Sequence, residues 1–147
     1  MKNLNEMLKE EYEELRKTVK EKLDEKTIIL YSNENGVRKC QLLETKDTEE
    51  CINLIEKHVG KFEKVDYKES PLAYWIHIWF SPDAKGDETL NGIRGNIIIT
   101  SSIEENSPMP MSFQDIEETI KYFAKSSTMN TLEYLTKVVY EGETVEY

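Results

Sequence analysis

The stretch that decides the fold is Pro71-Leu72-Ala73-Tyr74-Trp75-Ile76-His77-Ile78-Trp79-Phe80. It contains both tryptophans of the chain and no acidic residue, lysine or arginine. With the two-residue period of a β-strand, one face carries the side chains of 72, 74, 76, 78 and 80, and the other carries those of 73, 75, 77 and 79. A strand that is apolar on both faces is typical of the centre of a covered sheet. We therefore predict a central strand, with helices over one face and either more protein or a bound ligand over the other.

An amphipathic helix is predicted near the N-terminus, because apolar residues recur there every three or four positions in a segment otherwise rich in Glu and Lys. Its length would be about six turns. The narrow stripe allows two interpretations, a helix lying across the sheet or a seam for homodimer formation. The stripe consists of Leu4, Leu8, Tyr12, Leu15, Val19 and Leu23.

A β-hairpin and a second helix are predicted next. Strands over 27–32 and 37–44 flank Asn35-Gly36, a pair that suits the positive φ of a tight hairpin turn. The spacing of Asp47 and Glu50 is that of a capping box, so a helix should begin there and end at Gly60. Its buried stripe is predicted to be Ile52, Ile55 and Val59.

The rest of the chain predicts three more elements around the central strand. A weakly alternating strand covers 63–68, and a fifth strand from about 90 to 102 should be the antiparallel neighbour of the central one. Residues 104–111 are expected to form a loop, because two prolines exclude regular pairing. A helix should begin after the cap Ser112, with a core face formed by Phe113, Ile116, Ile120 and Phe123.

The C-terminal residues leave two alternatives open. Residues 131–140 suit either a helix or a strand, and we favour the helix; the tail 143–147 would form an edge strand or stay mobile. The predicted order is α-β-β-α-β-β-β-α-α. Short connections between consecutive strands favour antiparallel pairing. We predict one α+β domain over 1–147, with an antiparallel sheet of about five strands and helices on at least one face.

The charge restricts the classes of partner. The formal net charge is −10, and residues 70–147 hold 5 Lys or Arg against 12 Asp or Glu. A nucleic-acid binder or a protein attracted to an anionic membrane needs a basic surface, so neither is expected. The chain has no apolar signal region or membrane-length apolar run, which predicts a cytoplasmic protein. Its two cysteines, Cys40 and Cys51, are predicted to be reduced and buried.

Two places suggest ligand binding. Trp75, His77 and Trp79 would share one strand face and could stack on a base or a cation, although such a face is commonly part of the core. Arg94 lies in Gly92-Ile93-Arg94-Gly95-Asn96, where two glycines permit close approach of a phosphate or carboxylate. The structural alternative for this segment is a β-bulge or a bent strand start.

No catalytic residue, metal site or cofactor is predicted. The acids of the 81–88 loop lack the spacing of an EF-hand, the cysteines and histidines lack zinc-ligand spacing, and no nucleotide-binding or hydrolase motif occurs. The sequence therefore favours a small acidic, non-enzymatic binding protein, an inhibitor, immunity-type protein or adaptor, whose partner has a basic surface. The alternative is a protein that binds a nucleotide or another phosphate-bearing ligand through the aromatic face and Arg94.

Overall fold

In the described part of the chain, an antiparallel sheet has a helix packed on each of its faces. The computed structural model describes residues 9–11, 13, 14, 17, 18, 21, 27–90, 92–102, 104, 106–123, 137, 138 and 144–146. Helices α1 (Thr48–His58) and α2 (Phe113–Phe123) flank the sheet. The strands are β1 (Thr27–Glu34), β2 (Val37–Glu44), β3 (Asp66–Ser70), β4 (Ala73–Phe80), β5 (Glu88–Leu90), β6 (Ile93–Arg94), β7 (Ile97–Ser102), β8 (Pro108–Met109) and β9 (Val145–Glu146).

The topology confirms the predicted α+β class, but β4 is an interior strand beside the edge strand β3, and β7 and β1 occupy the middle of the sheet. The main sheet has the order β3-β4-β7-β1-β2-β9, with β8 paired to β7, while β5 and β6 form a separate two-stranded sheet. β4 and β7 are antiparallel neighbours, with Ile78 opposite Ile99. The described elements form a single α+β domain whose sheet is covered on both faces.

The predicted hairpin and the start of α1 are confirmed by their local geometry. Asn35 and Gly36 have φ values of 55° and 82°, as a two-residue turn between β1 and β2 requires. Asp47 caps α1, and its carboxylate accepts a hydrogen bond of 3.0 Å from the backbone N–H of Glu50. The Glu50 carboxylate in turn accepts from the N–H of Lys46 at 2.7 Å. These short-range signals define where the elements begin because both partners are close in the chain.

Two apolar clusters lie on opposite sides of the sheet. The cluster under α2 contains the predicted core face Phe113, Ile116, Ile120 and Phe123, packed on isoleucines of β1, β4 and β7. The cluster under α1 contains Cys51, Ile55, Trp79 and Ile98. The buried side of α1 is therefore formed by Cys51 and Ile55, while Ile52 and Val59 are only half-buried. The free thiols of Cys40 and Cys51 lie in different clusters, so the sheet separates them.

Several element boundaries differ from the sequence predictions. The strand expected over 90–102 is divided into β5, β6 and β7, because Gly92 and Gly95 both adopt positive φ and turn the chain between the pieces. The segment expected to be a loop contains β8, in which Pro108 and Met109 pair with Ser102 and Ser101. A proline is tolerated there because it is the first residue of a very short strand. The strand expected over 63–68 covers 66–70 instead, and β1 extends to 34 rather than ending at 32.

The outer parts of the chain are described only in part. The described residues between 9 and 21 are helical and exposed, but the whole predicted stripe from Leu4 to Leu23 lies outside the described residues. The same holds for the predicted helix over 131–140, apart from the helical residues 137 and 138. In the tail, β9 pairs with β2 as an edge strand.

Candidate functional site

The register of β3 on β4 breaks beside the turn that joins the two strands. Glu69 lies opposite His77, whereas the next residue, Ser70, lies opposite Ala73. One step along β3 thus corresponds to four steps along β4, which leaves residues 74–76 in a bulge. Ile76 remains paired with Ser101 of β7, so the irregular part displaces chiefly Tyr74 and Trp75.

The bulge sends the two tryptophans to different sides of the sheet. Trp79 is 1% exposed and lies in the cluster under α1, where its indole N–H donates to Thr100 Oγ1 at 2.8 Å. Trp75 is 41% exposed, and its indole N–H donates to both carboxylate oxygens of Asp115 on α2, at 3.2 and 3.3 Å. The prediction that both share one face is wrong. A bulge shifts the alternation of side chains, and strict two-residue periodicity does not survive it.

His77 is part of the packed interior. It is 6% exposed and stacks on Tyr67, with ring centroids 4.2 Å apart and an angle of 5° between the planes. Its Nδ1 has no hydrogen-bond partner among the described residues. Burial lowers the pKa of His77 below 6.5, while the backbone of Tyr74 and the charge of Glu69 act in the opposite direction. The imidazole is therefore stabilised in its neutral form and is shielded from any ligand in solution.

The bulge, the turn before it and the start of α2 together form a site that we call the aromatic corner: Leu72, Tyr74, Trp75 and the carboxylate of Asp115. The rings of Tyr74 and Trp75 contact each other edge to face, with centroids 5.2 Å apart and planes at 86°. Five large apolar side chains are exposed in the described part of the chain, and three of them are in this corner. Exposed apolar groups that lie together and are bordered by polar residues are a feature of interaction sites. The aromatic corner is thus the candidate functional site.

The acidic side of this corner comes from the first two turns of α2. Asp115 is anchored by the indole of Trp75, and no lysine or arginine among the described residues pairs with its carboxylate. Glu118 is exposed and lies three residues further along the helix, on the same side as Asp115. The corner therefore combines exposed aromatic surface with negative charge.

The segment around Arg94 has a structural role in the β5–β6 hairpin. The guanidinium donates to the carbonyl of Gly86 at 3.1 Å, and the N–H of Gly92 donates to the carboxylate of Glu88. Gly95 has φ +78°, and a Cβ there would lie 2.7 Å from the methyl of Ala84. Only glycine fits this close approach between two loops.

A shallow depression of about 170 Å³ lies beside Arg94, and Lys68 and Phe80 also line it. None of Trp75, His77 and Trp79 lines this depression. Trp75 is five residues from Phe80 along β4, roughly 16 Å at the rise of an extended strand. The structure therefore does not bring the four predicted ligand-binding residues together. Their binding role stays a prediction, with Trp75 and Arg94 as the two accessible members at opposite ends of β4.

Sequence reasoning missed Leu72, Tyr74 and Asp115 as members of the site. Asp115 was recognisable only as a position in the first turn of α2, and nothing in the sequence connects it with Trp75, which is 40 residues away. The two-residue period places Leu72 and Tyr74 on the same face as Ile76, because the bulge cannot be recognised in the pattern of apolar residues.

Neither a metal-binding cluster nor a membrane-spanning helix occurs among the described residues. Across these ranges, no group of three or more His, Cys, Asp or Glu side chains is arranged to hold a metal ion. No helix within those same residues combines the length and apolarity needed to cross a membrane. Comparison with protein-family models, with curated proteins and with solved structures finds no match to this chain. Function is therefore inferred from the geometry of the site.

Proposed function

We propose that the chain is a small acidic, non-enzymatic binding protein of the inhibitor or adaptor type, and that its aromatic corner contacts a partner protein with a basic surface. The observation that carries this proposal is the exposure of Tyr74 and Trp75 on the bulge and of Leu72 in the turn before it. Trp and Tyr are the residues that most often dominate the energy of protein interfaces.

The anchoring of Trp75 supports the same proposal. A side chain that must be ordered on binding loses conformational entropy, and this loss weakens the complex. Here the indole is already held by Asp115 of α2 and by the edge-to-face contact with Tyr74. A partner would therefore meet aromatic groups that are largely in place.

The charge supports a basic partner. The net charge of −10 would attract a cationic surface from a distance and speed the encounter. We also propose a cytoplasmic location, because Cys40 and Cys51 are free thiols in separate clusters of the core. Burial raises the pKa of these thiols to about 12 and about 11. Self-association through the predicted N-terminal stripe stays a prediction.

The alternative is a nucleotide or phosphate-bearing ligand bound beside Arg94. Lys68 and Arg94 both line the depression there, which would suit an anion. Its volume of about 170 Å³ is small, however, against the roughly 300–1,000 Å³ of most small-molecule sites. No tryptophan is available in it to stack on a base. Protein binding is accordingly the better supported function.

A comparison of baits tests the proposal. The full chain, the Trp75→Ala variant and the Val37→Ala variant would each be immobilised and exposed to extract of the native host, and retained proteins quantified by mass spectrometry. Val37 is a matched control because it is exposed and apolar but lies in the β1–β2 hairpin. We expect one or more partners that the wild type and Val37→Ala retain and Trp75→Ala loses. Equal retention of every protein by all three baits would refute the role of the aromatic corner.

The salt dependence of the association tests the charge argument. With a purified partner, the association rate should fall steeply as ionic strength rises, because salt screens the attraction between exposed charges. An association rate that does not change with salt would contradict a basic partner surface. Both measurements use the intact chain, and the Val37→Ala variant again provides the reference.

A further inference from the structure

The aromatic corner contains the carboxylate of Asp115, to which the described residues supply no cation. Both oxygens of Asp115 contact the indole N–H of Trp75, and no described lysine or arginine pairs with them. An ionised carboxylate offers about four acceptor positions, and one N–H satisfies only part of them. An apolar partner group covering Asp115 would strip water from this charge without replacing it, which is unfavourable. The occupant of the corner must therefore bring hydrogen-bond donors.

The rings beside this carboxylate favour a positive charge on those donors. Tyr74 is 71% exposed, and its ring plane is nearly perpendicular to that of Trp75. Part of the aromatic surface of this pair is therefore open to solvent. The face of an aromatic ring carries partial negative charge and attracts a cation. Glu118, exposed on the same side of α2 as Asp115, adds a further negative charge. Anionic and neutral polar groups are both disfavoured relative to a cation.

We propose that the aromatic corner receives a lysine or arginine side chain of the partner protein. Its charged end contacts the Asp115 carboxylate and the open ring surface, and its aliphatic part lies along Leu72 and the rings. The inference rests on the proposed function and deepens it, because it names the chemical group that the corner recognises. Under this proposal, Asp115 is the acidic group of the chain that contacts the basic surface of the partner directly.

The two tryptophans make this inference testable by NMR on the intact chain. In ¹⁵N-labelled protein the indole N–H of Trp75 reports on the corner, and that of Trp79, buried and bonded to Thr100, is an internal reference. The probes are N-acetyl-arginine methylamide and N-acetyl-lysine methylamide, with N-acetyl-citrulline methylamide as the neutral counterpart of arginine. All titrations are made at constant ionic strength.

We expect the cationic probes to shift the Trp75 resonance saturably and to leave the Trp79 resonance unchanged. The citrulline probe should bind roughly 2- to 30-fold more weakly, the range expected for one cation–π contact. The Asp115→Asn variant keeps an oxygen that can accept from the indole but lacks the charge, and should weaken the arginine probe by a similar factor. Tyr74→Leu should weaken it as well, and is tolerated because that side chain is largely exposed.

Three results would overturn the inference. They are equal affinity for the arginine and citrulline probes, no shift of the Trp75 resonance by any cationic probe, or an unchanged affinity in both Asp115→Asn and Tyr74→Leu. If one of these occurs while Trp75→Ala still loses its protein partner, the proposed function stands and only the recognised group is wrong. If partner retention is also unaffected by Trp75→Ala, both proposals fail.

Discussion

Replacing Trp79 with alanine should destabilise the protein far more than the same replacement at Trp75. Trp79 is the largest fully buried side chain among the described residues, and its removal leaves a cavity against Phe62 and Tyr67. Core Trp→Ala changes cost about 3–5 kcal/mol from lost burial and the cavity together. The buried hydroxyl of Thr100 also loses its donor, which places the expected cost near the upper end, at about 4–5 kcal/mol. Set against a total stability of about 5–15 kcal/mol, this is a large fraction.

At Trp75 the same substitution should cost only about 1–2 kcal/mol. The side chain is already 41% exposed, and water fills the vacated space at the surface, so the cavity contribution is absent. The hydrogen bond to Asp115 lies at an exposed position, where water replaces the lost partner. The two substitutions are chemically identical, so the difference in the free energy of unfolding measures the environment alone.

The assay is urea unfolding followed by far-ultraviolet circular dichroism, which does not depend on the tryptophan that each variant lacks. Wild type, Trp75→Ala, Trp79→Ala and Trp79→Phe are compared by linear extrapolation. Trp79→Phe retains most of the aromatic volume and should lose less stability than Trp79→Ala. A cost for Trp75→Ala as large as that for Trp79→Ala would refute the assignment of Trp75 to an exposed bulge.

Two further predictions concern His77 and the close approach at Gly95. Burial lowers the pKa of folded His77 below 6.5, so the unfolded chain binds more protons, and the free energy of unfolding should fall as pH drops from about 7 through that lowered pKa. His77→Phe should reduce this dependence of the unfolding free energy on pH, and His58, whose pKa is also lowered by burial, should account for the rest. The measurement is urea unfolding at several pH values, and the same pH dependence in wild type and His77→Phe would contradict the assignment. Gly95→Ala should cost about 1–3 kcal/mol more than Gly92→Ala, because both have positive φ but only position 95 meets another atom. Equal midpoints of urea unfolding for the two variants would contradict this prediction, because the contact at position 95 would then relax without cost.

Much of the fold could be predicted because its signals are local. The turn at Asn35-Gly36, the cap at Asp47 and the core face of α2 each depend on residues within a few positions of one another. β4 was recognisable as an interior strand from its composition, since apolar side chains on both faces are typical of a sheet that is covered on both. These elements lie where the sequence placed them.

The candidate site was less predictable because it depends on strand pairing. A bulge is decided by how two strands match across the sheet, and the shift at Ser70 has no signature in the residues that it displaces. The pattern therefore placed Trp75 with Trp79, although the two indoles donate to partners on different elements. Asp115 could be linked to Trp75 only once α2 had been packed against the sheet.

The bulge has a consequence for how this protein could change over evolution or in the laboratory. Residues that form the ladder, such as Ile78 opposite Ile99, cannot be exchanged without altering the packing of the sheet. Tyr74 and Trp75 lie in the extra length of β4, outside the pairing with β3. Their side chains can therefore be varied while the scaffold is retained. The paired strands thus form a framework, and Tyr74 and Trp75 form a small surface that can be substituted without changing it. New binding specificities are commonly selected in such surface segments on a fixed scaffold.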